Sequence, residues 1–343
     1  MTLKDIAKEA GVSISTVSRV INNKACNAAS KDTQDKIWSI VRKTGYTPNP
    51  AAQTLKKGNA LVNSDKPTRF IDCLQARSTN IYADPFFFEL ERAIEQEAFN
   101  HNCIVKRSFA PADIRDMKEI TSLQGNLADG VVILGRFGFS QAQMNFLNDT
   151  YKNVIYVGLN PTDLKCDQVI CNGYDASVSA VKYLFELRHK KIGYIGEQKN
   201  ECRFLGYKDA LTKLNLPFSI TNTANVIQTI DGGYQGAKQL IQRGVDISAV
   251  FCANDLTAIG AIKGFSESKR NVPKDISVIS IDDISMAQYL SPMLTTIHVP
   301  IEELGKIATK TLLDRIQYGH RLPLKIELPY YIAKRDSCLR YRT

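Results

Sequence analysis

From Arg69 onward, short apolar runs alternate with segments whose apolar residues have helical spacing. The apolar runs lie at 70–74, 103–105, 130–135, 153–158, 169–171, 191–196, 249–253 and 277–281. The helical segments lie at 85–100, 112–124, 141–148, 175–187, 204–214, 233–243, 256–268 and 301–318. Buried strands that alternate with helices predict parallel sheets covered on both faces. Roughly 270 residues of this pattern predict two doubly wound lobes rather than one.

The sequence lacks the motifs by which common enzymes with such sheets are recognised. No Gly-x-Gly-x-x-Gly follows an apolar run, which disfavours a dinucleotide-binding fold, and neither a P-loop nor a nucleophile elbow is present. The four histidines lie far apart and the eight cysteines form no Cys-x-x-Cys pair. We therefore expect no metal site, no cofactor and no enzymatic activity, with the cysteines buried as free thiols.

The N-terminal 22 residues predict two short amphipathic helices joined by a tight turn at Gly11. Thr2 is placed to cap the first helix and Ser13 the second. Apolar residues at helical spacing form the predicted inner sides, namely Leu3, Ile6, Ala7, Ala10, Val17, Val20 and Ile21. Polar side chains able to reach bases and phosphates occupy the other side of the second helix, namely Ser15, Thr16, Ser18, Arg19 and Asn22. This layout is typical of a helix-turn-helix that enters the major groove; the alternative is a helical hairpin in a core.

Residues 5–7, 10–13 and 16–22 resemble the shared pattern of the DNA-binding headpiece of the lactose-repressor (LacI/GalR) family almost letter for letter. The resemblance implies a headpiece over residues 1–47, completed by a third helix from about 30 to 44. Its implied DNA contacts are Thr2, Ile14, Ser15, Thr16, Ser18, Arg19 and Asn22. Residues 1–58 carry ten Lys or Arg against four Asp or Glu, a balance that suits a polyanion.

Residues 48–67 are expected to form a hinge helix and a linker. Pro50 suits the first helical position and Gly58 the end, which leaves a helix so short that it is marginal in water by itself. In the family, the matching helix orders on the operator and pairs with its dimer mate in the minor groove. The resemblance implies DNA contacts from Asn49, Ala52 and Leu55, with Leu55 wedged into a base step. The alternative is that Leu55 is a plain linker residue.

The remainder, 68–343, resembles the family's two-lobed effector-binding and dimerisation core, which has the periplasmic sugar-binding-protein fold. Lobe 1 is expected at about 68–167 and 299–326, and lobe 2 at about 168–298 and 327–338. Ligands of such folds lie at the carboxyl ends of the strands. The family motifs matched there imply effector contacts from Arg203, Asn254 and Asp282, and position alone adds Asn172 and Gln228.

Aromatic rings that stack on a sugar are expected from Phe86 and Phe87, in the run Asp-Pro-Phe-Phe-Phe. Each of these assignments has an alternative: Asn254 as a helix cap, Asp282 as a turn residue, and the two phenylalanines as core.

The expected protein is thus an all-α headpiece joined to an α/β core of two doubly wound parallel sheets. The family resemblance implies a homodimer that binds a pseudo-palindromic operator and represses a carbohydrate operon until a small sugar binds. The core resembles family members that respond to galactose or galactosides. Alternatives are a regulator controlled by a nucleobase, a phosphosugar or a protein coregulator, and a cytoplasmic sugar-binding protein. The sequence has no signal peptide and no apolar run of about 18 residues, so we expect a cytoplasmic location without membrane contact.

Overall fold

The chain forms two compact units, Met1–Pro67 and Thr68–Thr343. The computed structural model describes residues 3–13, 16–17, 20, 30–44, 68–76, 84–114, 128–136 and 138–342.

The first unit contains α1 (Leu3–Ala10) and α2 (Lys31–Thr44), with further helical residues at Thr16, Val17 and Val20. Of the apolar side chains predicted to face inward, Ile6, Ala7, Ala10, Val17 and Val20 form one small core with Ile37 and Ile40 of α2, and those of Leu3 and Ile21 lie outside the described part of the chain. The helical spacing read from the sequence therefore describes the buried side of this unit correctly.

Strands and helices alternate along the second unit. The described strands are β1 (Arg69–Gln75), β2 (Cys103–Phe109), β3 (Gly130–Leu134), β4 (Val154–Gly158), β5 (Asp167–Ile170), β6 (Ile192–Gly196), β7 (Thr223–Asn225), β8 (Ala249–Cys252), β9 (Ser277–Asp282), β10 (Thr295–His298), β11 (Lys325–Glu327) and β12 (Tyr331–Ala333). The described helices are α3 (Pro85–Asn100), α4 (Gln141–Thr150), α5 (Gly173–Glu186), α6 (Cys202–Lys213), α7 (Ile230–Gln242), α8 (Asp255–Glu267) and α9 (Ile301–Tyr318).

The strands form two six-stranded sheets, in the orders β11-β5-β4-β3-β1-β2 and β12-β10-β9-β8-β6-β7. Every pairing is parallel except that of β10 with β12. Two lobes built on parallel sheets confirm the predicted fold class. We call the lobe of the first sheet lobe 1 and that of the second lobe 2.

Alternate residues of each strand enter different cores, which is the signature of a sheet covered on both faces. In β8, Phe251 belongs to the core shared with α5 and α6, whereas its neighbours Val250 and Cys252 belong to the core under α7 and α8. In lobe 1, Val132 of β3 lies in the core with α3 and α9, and Ile133 packs with residues of α4.

The boundary between the two lobes that was expected at 167/168 is wrong by a few residues. Strand β5 pairs with β4, so the first sheet continues as far as Ile170. Three strands of three residues, β7, β11 and β12, were not predicted. Helices α5, α6 and α7 begin two or three residues before their predicted starts because polar side chains cap them there, namely Asn172, Glu201 and Thr229. The helix expected at 112–124 falls mostly outside the described residues.

None of the described helices combines the length and the hydropathy needed to cross a bilayer.

Candidate functional site

The turn of the headpiece has the local geometry that the sequence predicts. Gly11 has φ +71°, a left-handed conformation that a glycine adopts without the steric cost of a Cβ. The backbone N–H of Val12 donates to the carbonyl of Ala7 over 3.0 Å, which closes α1. The Oγ of Ser13 accepts from the backbone N–H of Thr16 over 3.1 Å, so Ser13 caps the next helical segment as predicted.

Among the predicted DNA contacts, Thr16 is the one that the structure describes. Its side chain is half-buried, and its hydroxyl lies 2.8 Å from the Oγ of Ser13. The hydroxyl of Thr16 thus supports the turn. The other predicted contacts lie outside the described residues: Thr2, Ile14, Ser15, Ser18, Arg19, Asn22, Asn49, Ala52 and Leu55.

In the second unit, the carboxyl ends of the two sheets face each other across an interlobe cleft. Asn160, which follows β4, accepts through Oδ1 from the backbone N–H of Cys202, which begins α6, over 3.1 Å. Arg136, which follows β3, places Nη2 at 3.3 Å from the Oε2 of Glu197 and at 3.5 Å from the Oε2 of Glu201. These contacts join the lobes at the edge where ligands of such folds bind.

A cavity of about 390 Å³ opens at the rim of this cleft. Its polar lining includes Arg136, Asn160, Gln198, Asn200, Glu201 and Lys208. Residues from both lobes therefore line the cavity, so its shape depends on how far the lobes are closed.

Arg203 lies at the centre of a polar network deep in the cleft and is 1% exposed. Its Nε donates to the Oε1 of Glu201 over 2.9 Å, and its Nη2 donates to the Oε2 of Glu201 over 3.0 Å. Nη2 also donates to the Oε1 of Gln228 over 2.7 Å, and Nη1 donates to the carbonyl of Ala253 over 2.9 Å. Two predicted residues, Arg203 and Gln228, are thus brought together, and Glu201 holds the guanidinium in place.

Asn254 belongs to the same network and also caps a helix. Its Oδ1 accepts from the backbone N–H of Thr257 over 3.0 Å, at the start of α8, and from the hydroxyl of Thr257 over 2.6 Å. Its Nδ2 lies 3.5 Å from the carbonyl of Gln228. The capping role raised as an alternative is present, and it fixes the orientation in which the amide faces Gln228.

Asp282 ends β9 in a conformation that is strained for a residue with a side chain. Its φ is +129°, and it is 4% exposed. Such backbone strain costs about 1–3 kcal/mol and persists where the surroundings enforce it, often at functional sites. Since β9 pairs with β10 up to His298, the sheet holds Asp282 at the edge of the cleft.

Electrostatics link Asp282 to both sides of the cleft. Burial lowers the pKa of Arg203, but the carboxylates of Glu201 and Asp282 outweigh it and hold the pKa above its ordinary value. On the lobe 1 side, burial and then the charge of Asp282 raise the pKa of Cys171 to about 12. The charge of Asp282 therefore acts on Arg203 in lobe 2 and on Cys171, which follows β5 of lobe 1.

The other predicted site residues take structural positions. Asn172 caps α5 by accepting from the backbone N–H of Tyr174 over 3.1 Å. Phe86 and Phe87 are 2% and 6% exposed, and their rings pack edge to face, 5.1 Å apart, in the apolar core at the start of α3. Neither ring lines the rim cavity, so stacking on a ligand would require it to leave this core.

Sequence reasoning missed three residues that build the cleft: Glu201, Arg136 and Asn160. Glu201 has a signal in the sequence, since it precedes the matched arginine motif by two residues and begins a helix. Arg136 and Asn160 share only the property of following a strand, which many residues of this chain have. Asp255, the neighbour of Asn254, was also missed as a structural centre.

Asp255 is fully buried and ties the start of α8 to β9, to β10 and to the loop after β9. Its Oδ1 accepts from the hydroxyls of Ser280 and Thr296, each over 2.6 Å, and its Oδ2 accepts from the backbone N–H of Ile284 over 2.9 Å. Burial raises its pKa to about 7 despite these hydrogen bonds. The side chain thus anchors the loops that follow β8 and β9.

Within the described ranges, no group of three or more His, Cys, Asp or Glu side chains has an arrangement that would hold a metal ion.

Two family profiles match the sequence. Residues 2–49 match bacterial regulatory proteins of the lacI family, and residues 181–338 match a periplasmic binding protein-like domain.

Similar proteins match over nearly the whole chain. The ribose operon repressor of Haemophilus influenzae is 32% identical, over 92% of this chain and 92% of its own length. The HTH-type transcriptional repressor PurR of Yersinia pestis is 30% identical, over 98% of this chain and 96% of its own length. A crystal structure of a LacI family regulator from Enterococcus faecium with bound ribose is 28% identical, with a TM-score of 0.70 over 80% of this chain and 100% of that chain.

Proposed function

This chain belongs to the LacI family of bacterial regulatory proteins, and we propose that it represses a carbohydrate-utilisation operon under the control of a small sugar. As a member of this family it is a DNA-binding repressor with a small-molecule effector. The sugar binds in the interlobe cleft and releases the operator.

The observation that carries the proposal is the polar network buried at the facing carboxyl ends of the two sheets. Arg203, Gln228, Asn254 and Asp282 combine donors and acceptors within one desolvated site. Sugar sites in proteins need such convergent polar groups because each hydroxyl both donates and accepts. The ribose in the Enterococcus faecium relative supports a sugar as the ligand class.

The proposed mechanism requires that the sugar prefer one lobe arrangement over another. A ligand shifts a conformational equilibrium only by the difference between its affinities for the two states. The contacts that join the lobes, Arg136 with Glu197 and Asn160 with Cys202, lie at the mouth of the same cleft. We propose that a sugar changes these contacts, and that residues 48–67 transmit the change to two headpieces of a homodimer on a pseudo-palindromic operator.

The first test uses the full-length protein and the DNA upstream of its own gene. Ribose, galactose, a disaccharide, a nucleobase and a sugar phosphate are each added in a thermal-shift assay and in a fluorescence-anisotropy assay of DNA binding. Stabilisation by one sugar, together with loss of DNA binding at the same concentration, supports the proposal. Stabilisation by the nucleobase with tighter DNA binding would favour corepression instead.

A second test asks whether Asp282 contacts the sugar. A hydrogen bond to a charged group contributes about 1.5–3 kcal/mol, so Asp282→Asn should weaken sugar binding at least about tenfold. The control Asp149→Asn makes the same chemical change at an exposed position in α4. Equal sugar affinity in the two variants would remove Asp282 from the site.

A further inference from the structure

Glu201 and Arg203 form a completely buried ion pair inside the cleft. The side chain of Glu201 is 0% exposed and that of Arg203 is 2% exposed. Both carboxylate oxygens of Glu201 accept from the guanidinium, on Nε and on Nη2, which is the paired geometry that arginine uses to recognise carboxylates and phosphates. The protein's own carboxylate therefore occupies the edge of Arg203 that an anionic ligand would need.

The remaining donors of Arg203 are nearly all used as well. A guanidinium has five N–H groups. Glu201 takes one on Nε and one on Nη2, Gln228 takes the second on Nη2, and the carbonyl of Ala253 takes one on Nη1. With this network intact, Arg203 has one N–H left for a ligand. A single donor suits a hydroxyl group but does not suit the two oxygens of a carboxylate or phosphate.

The charges around the network also disfavour an anionic ligand. Asp282, 4% exposed, is a second buried carboxylate, and its charge acts on Arg203. Arg136, on the lobe 1 side, lies between Glu197 and Glu201. The buried network itself thus holds one guanidinium group, that of Arg203, and two carboxylates, those of Glu201 and Asp282, so an anionic ligand in contact with it would add to an existing excess of negative charge. A desolvated charge without a partner is strongly unfavourable.

We propose that Glu201 is a specificity-determining residue that restricts the cleft to uncharged polyhydroxyl ligands and excludes sugar phosphates and sugar acids. Glu201 acts by neutralising Arg203 and by occupying the Nε–Nη2 edge of the guanidinium, where a carboxylate or phosphate would otherwise accept two hydrogen bonds. The inference rests on the proposed function in one respect, namely that the cleft is where the effector binds. It adds the charge of the effector and the residue that selects it.

The decisive test removes the charge of Glu201 and uses inorganic phosphate as the probe, because phosphate binding does not depend on which sugar is the effector. Glu201→Gln keeps the volume of the side chain and one acceptor oxygen for Arg203, but its amide NH2 cannot accept the second guanidinium N–H, so the variant frees half of the Nε–Nη2 edge and removes the carboxylate charge from it. Millimolar phosphate should raise the melting temperature of Glu201→Gln at constant ionic strength and leave that of the wild type unchanged. The double variant Glu201→Gln/Arg203→Gln should lose the response.

The matched control is Glu197→Gln, which removes one charge from the same cleft at a residue whose side chain contacts Arg136. This variant should not acquire the phosphate response. A response of equal size in Glu197→Gln would mean that net charge, rather than Glu201, excludes anions. No response in folded Glu201→Gln would overturn the proposal.

A comparison that needs no variant covers the case in which Glu201→Gln does not fold. Calorimetric titrations of the wild type with galactose and galacturonate, and with ribose and ribose 5-phosphate, should show at least tenfold tighter binding of the uncharged member of the pair that binds. Equal or tighter binding of the anionic member would refute the role of Glu201 and leave the proposed function standing. Absence of binding by all four, alongside a phosphate response in folded Glu201→Gln, would exclude galactose and ribose as effectors and uphold the exclusion of anions.

Discussion

Removing Arg203 should cost far more stability than the loss of one ligand contact, because it takes away the counter-charge that pairs with both oxygens of the buried Glu201 and leaves only Arg136, at 3.5 Å from one of them. Breaking a buried ion pair by removing one partner costs about 3–5 kcal/mol. Arg203→Gln should fall in this range, since the variant also removes the favourable interaction between the charges of Arg203 and Asp282. Glu201→Gln should cost less, because Arg203 retains Asp282 as a neighbour of opposite charge.

The double variant Glu201→Gln/Arg203→Gln should recover much of this loss, because two amides need no counter-charge. Groups in direct contact show interaction energies of about 0.5–3 kcal/mol, and we expect the upper end for this pair. Urea unfolding without ligand, followed by far-ultraviolet circular dichroism, measures all four proteins. Tryptophan fluorescence is unsuitable because the single tryptophan, Trp38, belongs to the first unit.

Additive costs, or a loss below about 1 kcal/mol in Arg203→Gln, would refute the reasoning that the ion pair is desolvated. The same result governs how an induction defect is interpreted. If Arg203→Gln is destabilised as expected, loss of induction in that variant does not by itself establish contact with the sugar. The Asp282→Asn variant then tests whether the polar network contacts the sugar.

Three further predictions concern the core and the hinge. Gly260→Ala should lower the free energy of unfolding by about 1–3 kcal/mol or more, because an added Cβ would lie 1.8 Å from the carbonyl oxygen of Ile230. This overpacking exceeds the gain of about 1 kcal/mol in helix propensity. Thermal unfolding measures the change, with Gly138→Ala as the control because nothing lies within 4 Å of an added Cβ there. Burial raises the pKa of Asp255 from 3.8 in the unfolded chain to about 7 in the folded protein. Between these pH values the folded state holds a proton on Asp255 that the unfolded state has lost. The contribution of this proton to stability is therefore full below about pH 4 and is lost as the pH rises through 7. Melting temperatures from pH 5 to 8 should fall more steeply for the wild type than for Asp255→Asn, and parallel curves would contradict this assignment. Leu55→Ala should weaken operator binding at least about tenfold while leaving sugar affinity unchanged, since the contacts of an inserted leucine offset the cost of kinking the DNA. Anisotropy titrations that give the wild type and Leu55→Ala the same affinity for operator DNA would rule out the insertion of Leu55.

Much of the fold could be predicted because its signals are local. Apolar periodicity located helix α9 at its observed bounds, and Ser13 and Gly11 indicated the headpiece turn before any contact was known. Strands of three residues, such as β7, were missed because so short a run has no periodicity of its own. They form only because a neighbouring strand offers unpaired backbone groups, which is a tertiary effect.

The sequence by itself determined the family, the order of the elements, and the placement of Asn254 and Asp282 at the carboxyl ends of strands and of Arg203 near the start of a helix. Tertiary structure alone decided which groups neutralise one another. Arg136 reaches Glu201 from the other lobe, and Gln228 accepts a hydrogen bond from Arg203, only because the fold packs together elements that are far apart in the chain. Charge pairing in a desolvated site is set by distances of a few ångströms between such residues, and local sequence patterns do not encode those distances.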